Sequence, residues 1–232
     1  MRLHFVSATR DALAQFLASS PLARSLRLLG EAGPLYLTVF ERNLLPLGEC
    51  YNRAIQKAAP EDLLVFVHDD VSIDDWLIHS RLLDAMRQFD VVGVAGNRRR
   101  QKGQETWCLP PCRGLTPLPE PDMPHLSGVI MHGLDDQRRA SVYGPTPAPV
   151  RLIDGVFMAA RAARLQNSGV RFDPSLGFHL YDLDFCRSAE QAGLTIGTWP
   201  IAISHASAGA SMHTEAWRRS SELYLRKYNE LD

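Results

Sequence analysis

The chain has 232 residues, a formal net charge of −1 and a hydrophobic share of 45%. This length suits one large α/β domain or two small ones, and the composition is typical of a globular protein. The balanced charge gives no reason to expect a nucleic-acid partner, and no stretch reaches the ~18 apolar residues of a membrane helix, so we expect a cytoplasmic protein without a membrane span.

The first half of the chain alternates predicted strands with predicted helices. One helix begins near Pro46 and another spans 74–89, and the predicted strands are 3–8, 35–40, 63–67 and 91–95. This alternation predicts a mainly parallel sheet with right-handed crossovers.

The strand at 63–67 is followed closely by two adjacent carboxylates, Asp69 and Asp70. Ligands of open α/β folds bind outside the carboxyl ends of the strands. Adjacent carboxylates repel each other unless a cation lies beside them, and a divalent cation with oxygen ligands is the usual one. Alternatively, Asp69 caps a turn and Asp70 leads into the helix at 74–89, whose dipole favours acid at its start. Both interpretations stay open on this segment alone.

The segment 96–149 holds nine of the fifteen prolines and shows little periodicity. Such a segment inside a compact domain is usually functional, and we expect an irregular loop that acts as a lid or binds substrate, or that is partly disordered. Residues 150–159 then predict a strand on the far side of the sheet, with Asp154 in its middle. Arg98, Arg99, Arg100 and Lys102 either reach a diphosphate or belong to a solvated loop.

A helix is predicted from about 178 to 192, and helical spacing separates its two aspartates. Asp182 shares a stripe with apolar residues and should point inward, where it could act as a general base. Asp184 should point to water near Arg187. Alternatively, both aspartates only compensate the helix dipole.

His205 follows the apolar residues 201–203, so it is delivered to another strand end. A neutral imidazole there is a candidate metal ligand, although a single histidine after a strand can also be structural. The last predicted helix, 214–231, carries an apolar stripe that packs against the domain or against a second subunit.

Five motifs together resemble those of the GT-A glycosyltransferases, and within them the inverting, family-2-like sugar transferases. The motifs lie at 48–55, 68–71, 154–159 and 177–187, with His205 followed by Gly209 as the fifth. Their order and spacing match over about residues 3–210. The resemblance implies one Rossmann-like α/β domain of the GT-A type, with a mainly parallel central sheet, helices on both faces and a long irregular insertion.

The resemblance also implies a division of labour along this single domain, 1–232. Residues 1–95 would bind the nucleotide sugar, 96–149 would be the irregular loop or lid, 150–212 would form the acceptor and catalytic half, and 213–232 would be the C-terminal helix.

The resemblance implies transfer of a sugar from a nucleoside-diphosphate sugar, with UDP-type donors favoured, to an acceptor hydroxyl with inversion. Asp70 and His205 would bind Mn²⁺ or Mg²⁺, and Asp182 would be the catalytic base. Donor binding would involve Ser7, Glu41, Asn43, Asn52, His68, Asp69 and Asp154.

One departure from the family motif leaves an alternative function open. Tyr181 stands where the motif has a glutamate, so the chain could instead be a non-catalytic GT-A module that binds nucleotide or glycan. A homodimer is a further open alternative. A nucleotidyltransferase is disfavoured, because residues 7–11 lack a glycine-rich phosphate loop.

Overall fold

The computed structural model describes residues 2–30, 34–113, 115, 117–134, 136, 138–207, 212 and 214–231. Gly209, part of the fifth motif, lies outside the described residues. The strands are β1 (Arg2–Ala8), β2 (Leu35–Phe40), β3 (Asp62–Val67), β4 (Val71–Ile73), β5 (Val91–Gly93), β6 (Ala95–Asn97), β7 (Leu126–His132), β8 (Arg139–Gly144), β9 (Ala148–Pro149), β10 (Leu152–Ile153), β11 (Phe157–Arg161), β12 (Ile196–Thr198) and β13 (Ile203–His205). The helices are α1 (Leu13–Ser19), α2 (Pro21–Gly30), α3 (Leu47–Lys57), α4 (Ile78–Ala85), α5 (Ala162–Ser168), α6 (Tyr181–Gln191) and α7 (Glu215–Lys227).

The larger sheet has seven strands in the order β2-β1-β3-β11-β5-β12-β9. Strands β2, β1 and β3 are parallel, as are β5 and β12, while β11 runs antiparallel to both of its neighbours and β9 runs antiparallel to β12. Five of the seven strands therefore share one direction, which confirms the predicted mainly parallel sheet. The strand predicted at 150–159 is displaced to β11, and it lies in the middle of the sheet rather than on its far side.

Strand β3 positions the first functional residues. Every residue of β3 is buried, because the strand lies between β1 and β11. The chain leaves this sheet immediately afterwards, and β4 pairs with β13 in the second sheet. Residues 68–70 therefore form the crossing between the two sheets, at the carboxyl end of β3.

The second sheet has the order β10-β6-β7-β13-β4, and β8 pairs with β7. Strands β7 and β8 both belong to the segment that the sequence predicts as irregular. Their apolar alternation is weak because the register shifts at Gly128, where φ is +105°, and because none of the residues of β8 is buried. The described residues from 98 to 122 do lack strands and helices.

Helix α7 packs against the domain, which is one of the two alternatives that its apolar stripe predicts. Its residues Trp217 and Tyr224 are buried against the domain. The prediction that Asp184 points to water is wrong, since its side chain is 0% exposed. Its carboxylate accepts a hydrogen bond from the hydroxyl of Tyr228 at 2.8 Å and pairs with Lys227 at 2.7 Å, both at the end of α7. Within the described ranges, no helix is long and apolar enough to cross a membrane.

Candidate functional site

A first cleft of about 290 Å³ opens where β1, β3 and β13 end. Its wall includes Asp69 and Asp70 from the crossing after β3, and His205 from the end of β13. Strands β4 and β13 pair Val71 with His205, and the backbone N–H of Ala206 donates to the carbonyl of Asp70 at 3.0 Å. Two predicted metal ligands that are 135 positions apart are thus held side by side by sheet pairing.

Three side chains in this cleft form a compact set of possible metal ligands. His68, Asp70 and His205 each offer one ligand atom, and these atoms all lie within 4.8 Å of one another. Two imidazoles and one carboxylate suit a first-row divalent cation better than Mg²⁺, which prefers oxygen ligands. The donor set therefore fits the Mn²⁺ that the resemblance implies, with His68 as a ligand that the sequence prediction assigned to the donor instead.

Charge pairing holds two members of this set in place. His205 Nε2 lies 3.3 Å from Asp70 Oδ1. Burial alone would lower the pKa of His205, but the hydrogen bond to Asp70 and its negative charge outweigh burial, and the pKa is raised. Burial would likewise raise the pKa of Asp70, but His205 outweighs burial and that pKa is lowered. Each group therefore favours the charged form of the other in the absence of a cation.

Tyr181 determines which nitrogen of His68 carries a proton. The Tyr181 hydroxyl donates to the carbonyl of Gly155 at 3.0 Å, and it lies 2.8 Å from His68 Nε2. A hydroxyl has only one proton to donate, so His68 Nε2–H must donate to the Tyr181 oxygen. Burial lowers the pKa of His68, which favours the neutral ring. The lone pair of Nδ1 is then free to bind a cation.

A second cleft of about 470 Å³ adjoins the first and shares His68, Phe178, His179 and His205 with it. Asp154 and Asp182 lie in the wall of this second cleft. The two clefts meet along the shared residues, so a molecule in one would face a molecule in the other.

Asp182 is held at the start of α6 by two backbone hydrogen bonds. Its Oδ2 accepts from the N–H of Gly155 and its Oδ1 from the N–H of Leu183, both at 2.9 Å. Burial, and next the negative charge of Asp154, raise the pKa of Asp182 to about 7. A carboxylate with such a pKa can take up a proton near neutral pH, which is what a general base requires.

Gly155 allows this arrangement because it has no side chain. A Cβ at this position would collide with the Tyr181 hydroxyl and crowd the Cβ of Asp182. The preceding residue, Asp154, is oriented by the N–H of Val156, which donates to its Oδ1 at 2.9 Å. The turn at 154–156 therefore serves both clefts through its carbonyl, its N–H groups and its lack of a side chain.

Four of the predicted donor-binding residues do not line either cleft. Glu41 accepts the N–H of Leu13 at 2.6 Å, at the start of α1. Asn43 forms hydrogen bonds with both backbone groups of Leu45. Asn52 donates a hydrogen bond to the carbonyl of Phe172 and accepts one from its N–H, both at 2.9 Å. Ser7 is fully buried in β1. The structure brings the other predicted residues, His68, Asp69, Asp70, Asp154, Asp182 and His205, to the walls of the two clefts.

Two of the arginines after β5 lie in ion pairs instead of at a cleft. Arg99 pairs with Asp122 at 2.6 Å, and Arg100 pairs with Glu190 at 3.2 Å. These two arginines therefore fit the interpretation as part of a solvated loop better than the interpretation as diphosphate ligands.

His132 belongs to the site but was not predicted. It is the last residue of β7, its backbone is in register with that of His205, and the two rings are 6.2 Å apart. Its side chain lines the second cleft. The available signal was a histidine that ends an apolar stretch, as His68 and His205 do, but the proline-rich surroundings concealed the strand.

The comparisons with known proteins agree with this architecture. The model of a glycosyltransferase-like family matches residues 37–228. Among the curated proteins, none matches this chain. The structure of GalNAc-T7 with UDP, GalNAc and Mn²⁺ is similar to this one, with 11% sequence identity and a TM-score of 0.54. The match covers 98% of this chain and 48% of the GalNAc-T7 chain.

Two further solved structures have lower TM-scores. The catalytic domain of Drosophila β1,4-galactosyltransferase 7, in complex with xylobiose, is 9% identical with a TM-score of 0.49, covering 94% of this chain and 79% of that one. A197 from STIV is 12% identical with a TM-score of 0.47, and the match covers 92% of this chain and 100% of the A197 chain. The family match covers most of the sequence, so the chain belongs to the glycosyltransferase-like family and is a glycosyltransferase with the GT-A fold.

Proposed function

We propose that this chain is a metal-dependent, inverting glycosyltransferase that moves a sugar from a nucleoside-diphosphate sugar to an acceptor hydroxyl. The observation that carries the proposal is the position of Asp182 in one cleft beside the His68, Asp70 and His205 set shared with the other. A UDP-type donor is favoured, because the fold is similar to that of GalNAc-T7, whose structure contains UDP and Mn²⁺.

The first cleft is the proposed donor site. Asp70, His205 and the Nδ1 of His68 would hold Mn²⁺, and Asp69 would face the donor. A divalent cation supplies positive charge that stabilises the departing diphosphate. The Tyr181 hydroxyl keeps the His68 ring in the orientation and tautomer that this requires.

Asp182 is the proposed general base. Its carboxylate would take the proton of the acceptor hydroxyl while that oxygen forms a bond to the anomeric carbon and the bond to the diphosphate breaks. One displacement inverts the configuration and needs no covalent sugar–enzyme intermediate. The pKa of about 7 suits this role, and a positioned base contributes ~10²–10⁴-fold to the rate.

Tyr181 is compatible with catalysis although it replaces a glutamate. The phenol is buried and its pKa is raised well above its usual value by burial, so it carries no charge at neutral pH. In our proposal the proton-accepting role belongs to Asp182 alone, and Tyr181 is a positioning residue that acts through His68.

The test compares Asp182→Asn, Asp70→Ala and His205→Ala with the wild type. Calorimetry measures Mn²⁺-dependent UDP binding, and a panel of UDP-sugars measures donor hydrolysis and transfer. We expect Asp182→Asn to lower turnover by ~10²–10⁴-fold and to retain UDP binding. Asp70→Ala should abolish Mn²⁺-dependent UDP binding, and His205→Ala should weaken it less severely.

Asp84→Asn is the control, since Asp84 is exposed and its one ion pair among the described residues is with Arg87, three residues further along the chain. It should leave both measurements unchanged. Wild-type protein that binds UDP and Mn²⁺ but neither hydrolyses nor transfers any sugar would point to the non-catalytic module. An Asp182→Asn enzyme with normal turnover would remove Asp182 from its role.

A further inference from the structure

The second cleft is lined by acidic side chains and not by lysine or arginine among the described residues. Its lining includes the carboxylates of Glu105, Asp154 and Asp182, and none of the described lining residues is a lysine or an arginine. Two arginines outside this lining are held by other groups: Arg187 is buried and pairs with Glu230 at 2.8 Å, and Arg113 donates to the carbonyl of Leu231 at 2.5 Å. Away from the metal-ligand residues that it shares with the first cleft, a phosphate or carboxylate on a ligand would find no lysine or arginine in this cleft and would face three acids.

Aromatic rings form much of the remaining wall. Trp107 and Tyr143 meet edge to face with their centroids 4.8 Å apart, and both line the cleft. Phe178 stands where the two clefts join and is 54% exposed, although it is a large apolar side chain. Aromatic faces combined with a few polar groups are typical of sites for small organic ligands.

Two buried polar groups in the cleft have capacity for further hydrogen bonds. Glu105 is only 3% exposed, and one of its oxygens accepts from the hydroxyl of Ser221. His132 Nδ1 is buried and has no hydrogen-bond partner among the described residues. A carboxylate accepts hydrogen bonds, and an imidazole nitrogen donates or accepts, so both groups suit hydroxyl partners.

From these observations we infer that the second cleft selects an uncharged saccharide as the acceptor and rejects anionic ones. The inference rests on the proposed function, in which this cleft holds the acceptor. The apolar C–H faces of a sugar ring would lie on Phe178 and Trp107, and its hydroxyls would bond to Glu105, His132 and Asp182. The cleft volume of about 470 Å³ is enough for a short saccharide.

Strand β8 offers a matched pair of variants for the test. Ser141 lines the cleft, whereas the neighbouring Val142 is 62% exposed on the opposite face of the strand. Ser141→Lys adds a positive charge to the cleft wall, and Val142→Lys adds the same charge to the same strand outside it.

The experiment first measures Mn²⁺-dependent UDP binding by calorimetry. With UDP and Mn²⁺ present, changes in tryptophan fluorescence then report the binding of neutral disaccharides and of the matching disaccharides that carry a uronic acid. Wild-type protein should bind a neutral disaccharide at least tenfold more tightly than its acidic counterpart. Ser141→Lys should reduce this ratio about tenfold, and Val142→Lys should leave it unchanged.

Equal or tighter binding of acidic disaccharides by the wild type would overturn the inference, and so would an absence of binding by every neutral disaccharide. An equal effect of the two lysine variants would also overturn it, since the selection would then not arise in the cleft. Loss of UDP binding in the first step would count against the proposed function, so the two failures are distinguishable.

Discussion

At the scale of single residues, Asp154 influences the charge that Asp182 carries. The two carboxylates line the same cleft, and the negative charge of Asp154 adds to the effect of burial on the pKa of Asp182. Asp154 accepts the N–H of Val156 through Oδ1, an interaction that an asparagine side chain retains. The charge at 154 can therefore be removed while the turn is preserved.

We expect Asp154→Asn to lower the pKa of Asp182 below about 7, because one of the two causes of its rise is removed. The proposed general base Asp182 would work when deprotonated, so wild-type turnover should rise with pH through about 7. In Asp154→Asn that rise should occur at lower pH. The measurement is kcat against pH at saturating donor, and an unmoved acidic limb would contradict the coupling.

The sequence predicted which residues line the clefts best where a residue follows a strand or opens a helix. Asp69, Asp70 and His205 were found in this way, and the inward side of Asp182 followed from helical spacing. Asn52 was different, because its partner Phe172 lies 120 positions away and no local pattern reveals that bond. The prediction that Asp184 faces water failed for the same reason, because its partners Tyr228 and Lys227 lie far away in the sequence, at the end of α7.

At the scale of elements, the stretch between β6 and β7 is held by one carboxylate in place of regular structure. Asp122 accepts two hydrogen bonds from Arg99, at 2.7 and 2.6 Å, and one from His125 at 3.0 Å. It also accepts from Asn97 at 3.3 Å. The hydrogen bond to Arg99 is the largest cause that lowers the pKa of Asp122, to about 2. Asp122 therefore links the end of this irregular stretch to β6 and to the residue that precedes β7.

We expect Asp122→Asn to lower the free energy of unfolding by about 1–2 kcal/mol at pH 7, a range reduced because Arg99 is half exposed. The folded pKa lies below the unfolded value of about 3.9, so this stabilisation is complete above pH ~4 and is lost as the pH falls toward 2. Urea unfolding at pH 7 and at pH 2.5 measures the difference. Asp84→Asn is the exposed control, and an equal loss at both pH values would contradict the assignment.

Most strands and helices were predictable because their patterns are local. The strand at 35–40 matches β2 fully, and the helix at 178–192 contains α6. The helix predicted at 74–89 shortens to α4, because the N–H of Asp74 still donates to the carbonyl of Ala202 and the side chain of Asp75 accepts from the N–H of Leu77 before the helix begins. The hairpin of β7 and β8 escaped prediction, since a strand whose residues are mostly exposed has no apolar face to reveal it.

At the scale of the whole molecule, the two sheets share one core. Leu63 in the first sheet and Ile130 in the second belong to the same cluster of buried side chains. We therefore propose that the chain folds as one unit, as the prediction of a single domain implies, with the two clefts formed where the sheets meet.

Leu63→Ala and Ile130→Ala should each lower the free energy of unfolding by ~2–5 kcal/mol. If the core is shared, both variants should shift the same transition, and circular dichroism and tryptophan fluorescence should report one midpoint. Two midpoints, each sensitive to one of the substitutions, would show that the sheets unfold separately.

The sheet order lay beyond the reach of the sequence, although the fold class did not. Alternating strands and helices indicate parallel neighbours, yet β11 enters antiparallel between β3 and β5. Its fully buried residues pair equally well in either direction, so only the long-range path of the chain decides the order.

The contact between Gly155 and Tyr181 restricts how this sequence can evolve. Any side chain at 155 would occupy the space of the Tyr181 phenol. A shorter side chain at 181 would lose the hydrogen bonds to the Gly155 carbonyl and to His68. A glutamate at 181 would therefore leave the Gly155 carbonyl without the phenol as its donor and would free the His68 ring from the partner that orients it. Positions 68, 155 and 181 therefore act as one unit, and a substitution at any of them changes the surroundings of the other two.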